Sequence, residues 1–216
     1  MDAYTVDNYG WESADAPQSC DYILPAVLPI ISELQGVKRV LDLGSGNGRL
    51  CAELYRSGYH VSGVEFDKQG VEVSRSRYPE IPFHNFGVQD DPAALLKLEE
   101  PFDVIVSTEV IEHLYAPHLL PRYASAVLRD GGYLVISTPY HGYLKNFALS
   151  LFNGWDKHHT TLWHGGHIKF WSRTTLAQLL QENGFKPIGF QGVGRVPYLW
   201  KSMLLIAQKT AGRMRV

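Results

Sequence analysis

The run Glu109-Val110-Ile111-Glu112-His113 follows the apolar stretch Phe102–Ser107 and sets two carboxylates and an imidazole three and four residues apart. On a helix, that spacing puts Glu109, Glu112 and His113 on one face. Crowded carboxylates repel unless a proton or a cation sits between them. Two carboxylates and an imidazole suit a divalent cation, and hard oxygen ligands favour Mg²⁺ or Mn²⁺. A second group lies upstream, in Val40-Leu41-Asp42-Leu43-Gly44-Ser45-Gly46-Asn47-Gly48. There an apolar run ends in an acid and breaks into three alternating glycines. Glycine serves where backbone turns at positive φ or approaches a ligand closely. The helix-like Leu50–Tyr55 follows, and a helix N-terminus offers free N–H groups to a polar or anionic ligand. The pair reads as a cofactor turn facing a chemical constellation.

The glycine spacing excludes two common cofactor loops. A dinucleotide G-x-G-x-x-G needs its third glycine at Arg49, counted from Gly44, or at Cys51, counted from Gly46. A phosphate-cradling loop needs a Gly-Lys-Ser/Thr that is absent. Glu65 ends the next strand pattern, His60–Phe66, roughly twenty residues after the turn, where an acid accepts hydrogen bonds from both ribose hydroxyls. Phe66 beside it is placed to stack on adenine.

The elements that must hold these residues alternate. Strand patterns fall at Arg39–Leu43, His60–Phe66, Pro82–Phe86, Phe102–Ser107 and Tyr133–Ser137, the last launched by Gly131-Gly132. Helix Thr174–Asn183 closes at Gly184, and strands near Lys186–Gln191 and Ser202–Gln208 finish the pattern. Alternating strands and helices predict an α/β fold, a mainly parallel sheet with helices on both faces and ligands at the carboxyl ends of its strands.

Leu41–Gly48 resembles the first motif of class I S-adenosylmethionine (SAM)-dependent methyltransferases. The resemblance covers roughly residues 35–210 and implies a Rossmann-like seven-stranded sheet whose last strand inserts antiparallel. It implies SAM as cofactor, held by Asp42, Gly44, Ser45, Gly46, Glu65 and Phe66. In that family the loop matching Gly87–Asp90 reaches the adenine edge, which gives Val88 a backbone contact, with Gln89 or Asp90 nearby; Asp90 or Asp91 before Pro92 equally reads as a helix cap. Thr108 would face the methionine moiety.

Glu109–His113 resembles the E-x-x-E-H motif of ubiquinone-biosynthesis O-methyltransferases and of metal-dependent small-RNA 2′-O-methyltransferases. In the RNA group a further histidine in an H-x-K-F-x-W-like context completes the site, and Gly166–Trp171 is similar to it. The implied ligands are Glu109, Glu112, His113 and His167, with His113 or His167 the alternative as general base. In relatives of this kind without a metal, Glu109 touches the cofactor and His113 packs on the sheet. The expected activity is metal-assisted O-methylation of a small phenolic or catechol-like molecule. RNA 2′-O-methylation and a non-catalytic SAM-binding regulator are the alternatives.

The chain has 216 residues, 45% of them hydrophobic, enough for one core. A net charge of −2 gives no global basic field, so no DNA partner is expected and RNA is disfavoured. Two cysteines, Cys20 and Cys51, form no disulfide framework. No signal peptide or membrane-spanning run is legible, and a cytoplasmic setting follows as the expectation. Residues 1–34 form an N-terminal lead-in to the methyltransferase domain at 35–216, with helix Asp21–Leu34 either packing on the sheet or lidding the cofactor. Its Tyr9-Gly10-Trp11 either covers the cofactor or anchors the segment. Residues 140–171 break the rhythm, with five of the nine histidines and many aromatic side chains. A long connection of this kind predicts a substrate lid, with a short helix at Lys145–Asn153. Pro197–Trp200 reads either as core or as a contact for membrane or a lipid tail.

Overall fold

The structure is a computed structural model and describes residues 19–159 and 166–210. Tyr9-Gly10-Trp11, Trp163 and His164 lie outside the described residues. Seven strands form one sheet: β1 (Arg39–Leu43), β2 (His60–Glu65), β3 (Phe83–Asn85), β4 (Phe102–Thr108), β5 (Leu128–Pro139), β6 (Phe185–Val193) and β7 (Ser202–Lys209). Their order is β3-β2-β1-β4-β5-β7-β6. The first five run parallel, and β7 inserts antiparallel between β5 and β6. The architecture is the α/β sheet expected.

Both faces of the sheet are covered, so the inner strands β1, β4 and β7 are buried almost continuously rather than alternating. On one face Val40, Val104, Val106 and Val135 pack against α1 (Cys20–Glu33) and α2 (Arg49–Arg56) through Val27, Ile31, Cys51 and Leu54. On the other, Leu41, Leu43, Ile105 and Ile136 meet α5 (Leu119–Val127) and α8 (Arg173–Glu182) through Tyr123, Ala124, Leu176 and Leu180. The lead-in helix α1 is therefore a wall of this core. Short caps fix the remaining helices. Asp67 accepts from Gln69 N to start α3 (Lys68–Arg77), and Asp91 accepts from Ala93 N to start α4 (Pro92–Leu96). Ser172 and Thr175 cap one another reciprocally at the head of α8.

Two elements differ from the sequence pattern. Strand β5 begins at Leu128, not after Gly131-Gly132, because Gly131, at φ +74°, absorbs a register shift inside the strand. The insert carries two short helices, α6 (Tyr143–Leu151) and α7 (Trp155–His159), the first starting two residues earlier than expected. Pro197–Trp200 divides between the two readings: Trp200 packs edge-on against Tyr140 and Phe190, whereas Tyr198 is exposed. Among the described residues no helix is long and apolar enough to cross a membrane.

Candidate active site

The carboxyl ends of the neighbouring parallel strands β1, β2, β4 and β5 carry two side-chain groups. The first is the glycine turn. Gly44, Gly46 and Gly48 all have positive φ, so the turn depends on glycine's access to left-handed backbone. At Gly44 a Cβ would also run into the Val110 side chain. Gly44 N and Ser45 N donate to Val64 O, which fastens the turn to β2. Ser74 Oγ on α3 donates to Gly46 O at 3.0 Å.

Glu65 is buried at the end of β2. Its Oε2 accepts from Gly46 N at 2.8 Å and its Oε1 from Asp67 N at 2.9 Å. Burial raises its pKa, against these amide bonds. Each oxygen keeps a lone pair for a further donor. Asn85 Nδ2 donates to Glu65 O and Phe66 O, which holds the exposed Phe66 at the rim. Asp42 is fully buried; Oδ2 accepts weakly from Cys51 Sγ at 3.4 Å, while Oδ1 has no hydrogen-bond partner. Burial and the Glu65 charge push Asp42 up to about 8. Ser45 Oγ is also buried without a partner. Two orphaned polar atoms beside a glycine turn are what a polar ligand satisfies. Val88 sits half-buried against the core in the turn after β3. Asp90 Oδ2 accepts from Gly87 N and so closes that turn, while Asp91 is the helix cap. Thr108 is half-buried at the end of β4, paired with Ser137.

The second group follows Thr108. The shared helix face expected for Glu109, Glu112 and His113 does not form. Glu109 has φ +54°, and only Ile111–His113 makes a single 3₁₀ turn. A left-handed residue ends the strand abruptly and turns Glu109 away from Glu112. Its Oε1 accepts from Ser137 Oγ at 2.8 Å and its Oε2 from Ser202 Oγ at 3.1 Å. Tyr22 OH lies 3.3 Å from Ser202 Oγ and extends this network to α1. Desolvation pushes Glu109 up to about 7, against the Ser137 and Ser202 hydrogen bonds and the Lys145 cation.

Glu112, His113 and His167 do come together, each offering one ligand atom within 4.8 Å of the others. Glu112 is fully buried; its Oε2 accepts from Thr138 Oγ1 at 3.0 Å, and its Oε1 has no hydrogen bond. That oxygen lies 3.9 Å from His113 Nε2 and 4.0 Å from His167 Nε2. His113 Nδ1 donates to Gly166 O at 3.2 Å, which orients the ring with Nε2 on the side of Glu112. Burial and the neighbouring His113 hold His167 down at about 4, so its imidazole is neutral at pH 7. Burial and the Glu109 charge raise Glu112 well above the usual carboxylate range. An orphaned carboxylate oxygen facing two imidazole nitrogens fits a divalent cation. Glu112 O also accepts from Ile168 N and Lys169 N, which ties the end of the insert, ahead of α8, to the turn that carries Glu112.

Around the insert, His141, Asn146, Trp155, His159, Phe170, Ser172 and Thr175 line a cavity of about 520 Å³. His141 and His159 stack, with His158 edge-on to both. Ser137, Thr138 and Ser202 escaped sequence reasoning. The signal available was their position, polar residues at the ends of the otherwise apolar β5 and β7. Lys145 escaped too, because a lysine inside an apolar helix pattern reads as a solvated side chain.

A family model described as a methyltransferase domain matches residues 16–188. The ubiquinone biosynthesis O-methyltransferase of Xylella fastidiosa (strain 9a5c) is 31% identical over 143 residues, covering 64% of this chain and 58% of that protein. The protein of the same name from Ruegeria sp. (strain TM1040) is 28% identical over 173 residues, covering 76% of this chain and 66% of its own length. The chain thus spans somewhat under two thirds of these relatives. Among solved structures, magnesium protoporphyrin IX methyltransferase of Synechocystis PCC 6803, with bound S-adenosylhomocysteine (SAH), superposes with a TM-score of 0.62 at 18% identity. That match covers 89% of this chain and 83% of the other and speaks for the fold.

Proposed function

We propose that this chain, which belongs to the methyltransferase-domain family, is a SAM-dependent O-methyltransferase acting on a small phenolic or catechol-like hydroxyl. The observation that carries the reading is the placement of orphaned Asp42 Oδ1 and Ser45 Oγ, with Glu65, around the glycine turn, at the same carboxyl edge of the sheet as the cluster of Glu112, His113 and His167. SAM would supply an electrophilic methyl group to the acceptor oxygen, its sulfonium leaving as the thioether of SAH. Glu65 accepts from the ribose hydroxyls, and the turn lets backbone approach the cofactor. Asp42 and Ser45 would offer hydrogen bonds to its polar groups, Phe66 would stack on the adenine, and the backbone of Val88 would reach the adenine edge. The protein's main task is alignment, which lowers such barriers by roughly 7–11 kcal/mol where geometry is good. Similarity to ubiquinone biosynthesis O-methyltransferases supports an aromatic hydroxyl acceptor.

Glu112, His113 and His167 would hold a divalent cation, whose part is to acidify and orient the acceptor hydroxyl. With Glu109 outside this set, the ligands are one carboxylate and two imidazoles. That donor chemistry favours transition ions such as Mn²⁺, Fe²⁺ or Zn²⁺ over Mg²⁺. Glu109, held by Ser137 and Ser202 beyond this group, stays available to receive a proton. Calorimetric titration with SAM, followed by methyl transfer to catechols with short RNAs as controls, tests the reading. Binding of SAM that Glu65→Ala abolishes, with turnover on a catechol, is the expected result. No SAM binding by the wild type would overturn it.

A further inference from the structure

Two neighbouring hydroxyls at the end of β5 divide the carboxylates of Glu109 and Glu112. Ser137 and Thr138 are adjacent in an extended strand, so their side chains point to opposite faces of the sheet. Both are fully buried, and the strand is paired on each side there: Ser137 lies opposite Thr108 of β4, and Thr138 opposite Met203 of β7. Hydroxyls mounted on paired strands are held more precisely than hydroxyls on loops. Ser137 Oγ donates to Glu109 Oε1 at 2.8 Å and accepts from Glu109 N at 3.1 Å. Thr138 Oγ1 donates to Glu112 Oε2 at 3.0 Å. A carboxylate free to turn about its last bond presents either oxygen, or both together, to an ion. At Glu112 the Thr138 bond fixes that torsion. Oε2 is turned to β5. Oε1, without a hydrogen bond, is the oxygen that lies 3.9 Å from His113 Nε2 and 4.0 Å from His167 Nε2. The main chain of Glu112 is held as well, its carbonyl accepting from Ile168 N at 2.9 Å and Lys169 N at 3.0 Å. Those ties join backbone groups, whereas the Thr138 bond joins side chains and can be removed by substitution.

We propose that Thr138 is a positioning residue for the cation: it holds Glu112 to coordination through one oxygen and so favours a transition ion over Ca²⁺. The inference rests on the cation reading of Glu112, His113 and His167. Ca²⁺ takes about six to eight oxygen ligands and often both oxygens of one carboxylate. A transition ion is served by one carboxylate oxygen and two imidazoles. Removing the Thr138 hydroxyl lets Glu112 turn its second oxygen to the ion, which suits Ca²⁺ and loosens the set that suits Mn²⁺ or Zn²⁺. Hydrogen bonds that orient a metal ligand are worth roughly 10–100-fold in affinity. The test titrates Mn²⁺, Zn²⁺ and Ca²⁺ calorimetrically into the full chain, stripped of metal and loaded with SAH. Thr138→Val keeps the shape and removes the donor, Thr138→Ala removes the donor with a smaller side chain, and Thr138→Ser keeps the donor. The Val and Ala variants are expected to bind the tighter of the two transition ions roughly tenfold or more weakly and to lose much of its preference over Ca²⁺. Thr138→Ser is expected to stay within about threefold of the wild type on both counts. Unchanged SAH affinity in each variant shows that the fold and the cofactor site persist. Undiminished transition-ion affinity in the Val and Ala variants, equal weakening of all three ions, or a Ser variant as weak as Val would each overturn the proposal and leave the cation reading standing. A wild type that binds neither Mn²⁺ nor Zn²⁺ at millimolar concentration would strike the cation reading as well.

Discussion

Replacing Glu112 by glutamine separates a metal ligand from a structural carboxylate. Glu112 is fully buried, one oxygen is satisfied by Thr138, and the other faces two imidazoles without a hydrogen bond. A buried acceptor left unsatisfied costs roughly 1–3 kcal/mol. In the metal-free protein, Glu112→Gln keeps the Thr138 bond and replaces a carboxyl that burial and the Glu109 charge hold protonated with a neutral amide of the same shape. The metal-free variant should therefore be as stable as the wild type or more so, by up to a few degrees at roughly 2–4 °C per kcal/mol for a chain of this size. A cation bound at a hundredfold excess over its Kd adds about 2.7 kcal/mol of stability. That corresponds to a rise of roughly 5–11 °C in the wild type and to none in the variant. Cation binding also expels the proton that Glu112 retains, so the rise should grow from pH 6 to pH 8. The assay is scanning fluorimetry after chelation, with Mg²⁺, Mn²⁺, Fe²⁺ or Zn²⁺ added back, Mg²⁺ giving the smallest shift. Failure of every ion to raise the wild-type Tm, or an equal rise in Glu112→Gln, would refute the metal argument.

Gly44→Ala should cost roughly 2–5 kcal/mol in urea unfolding, about 1–2 from forcing alanine to φ +87° and about 1–3 from overlap with Val110. Adding Val110→Ala should relieve the overlap and leave the backbone share; no rescue would mean that the clash was misjudged. Glu65→Gln should weaken SAM binding by about ten- to a hundredfold in calorimetry, because it removes a charged acceptor that also fastens Gly46; unchanged affinity would place the ribose elsewhere. The apoprotein should lose stability from pH 6.5 to 8.5, read as a falling urea midpoint. Asp42 and Glu109 hold protons in the folded state up to about 8 and 7, whereas the unfolded chain releases them near 4, so their contribution declines as pH rises through the folded values. His141, His158 and His167, held down at about 4, act oppositely: their stability is present above the unfolded value near 6.5 and is lost as pH falls toward 4. The optimum therefore lies near pH 6–7, and a midpoint that climbs to pH 8.5 would contradict the burial of these carboxyls.

The two halves of the site differ in how far their sequence could be read, and the difference is physical. The cofactor half is local. Asp42, the three glycines and Glu65 lie within two neighbouring parallel strands and the turn between β1 and α2, so strand register alone brings Glu65 Oε2 to Gly46 N. The period of the apolar runs therefore located both partners. The acceptor half is assembled from β4, β5, the insert and β7, and its contacts span up to 93 residues of sequence. Periodicity predicts a helix through Glu109–His113, yet one left-handed residue at Glu109 reassigns that carboxylate from Glu112 to Ser137 and Ser202. Nothing in the spacing of 109, 112 and 113 distinguishes the two outcomes, since it depends on where β5 presents Ser137. His167 was found through a motif, because its partner Glu112 anchors Ile168 and Lys169 by backbone bonds that any side chains permit. Lys145 had neither a motif nor a period to mark it. Its burial appears only when α6 is laid over Lys201, whose carbonyl accepts from the ammonium. The residues proposed to hold the cofactor are thus set by neighbouring strands, whereas those proposed to meet the acceptor depend on tertiary placement of the insert.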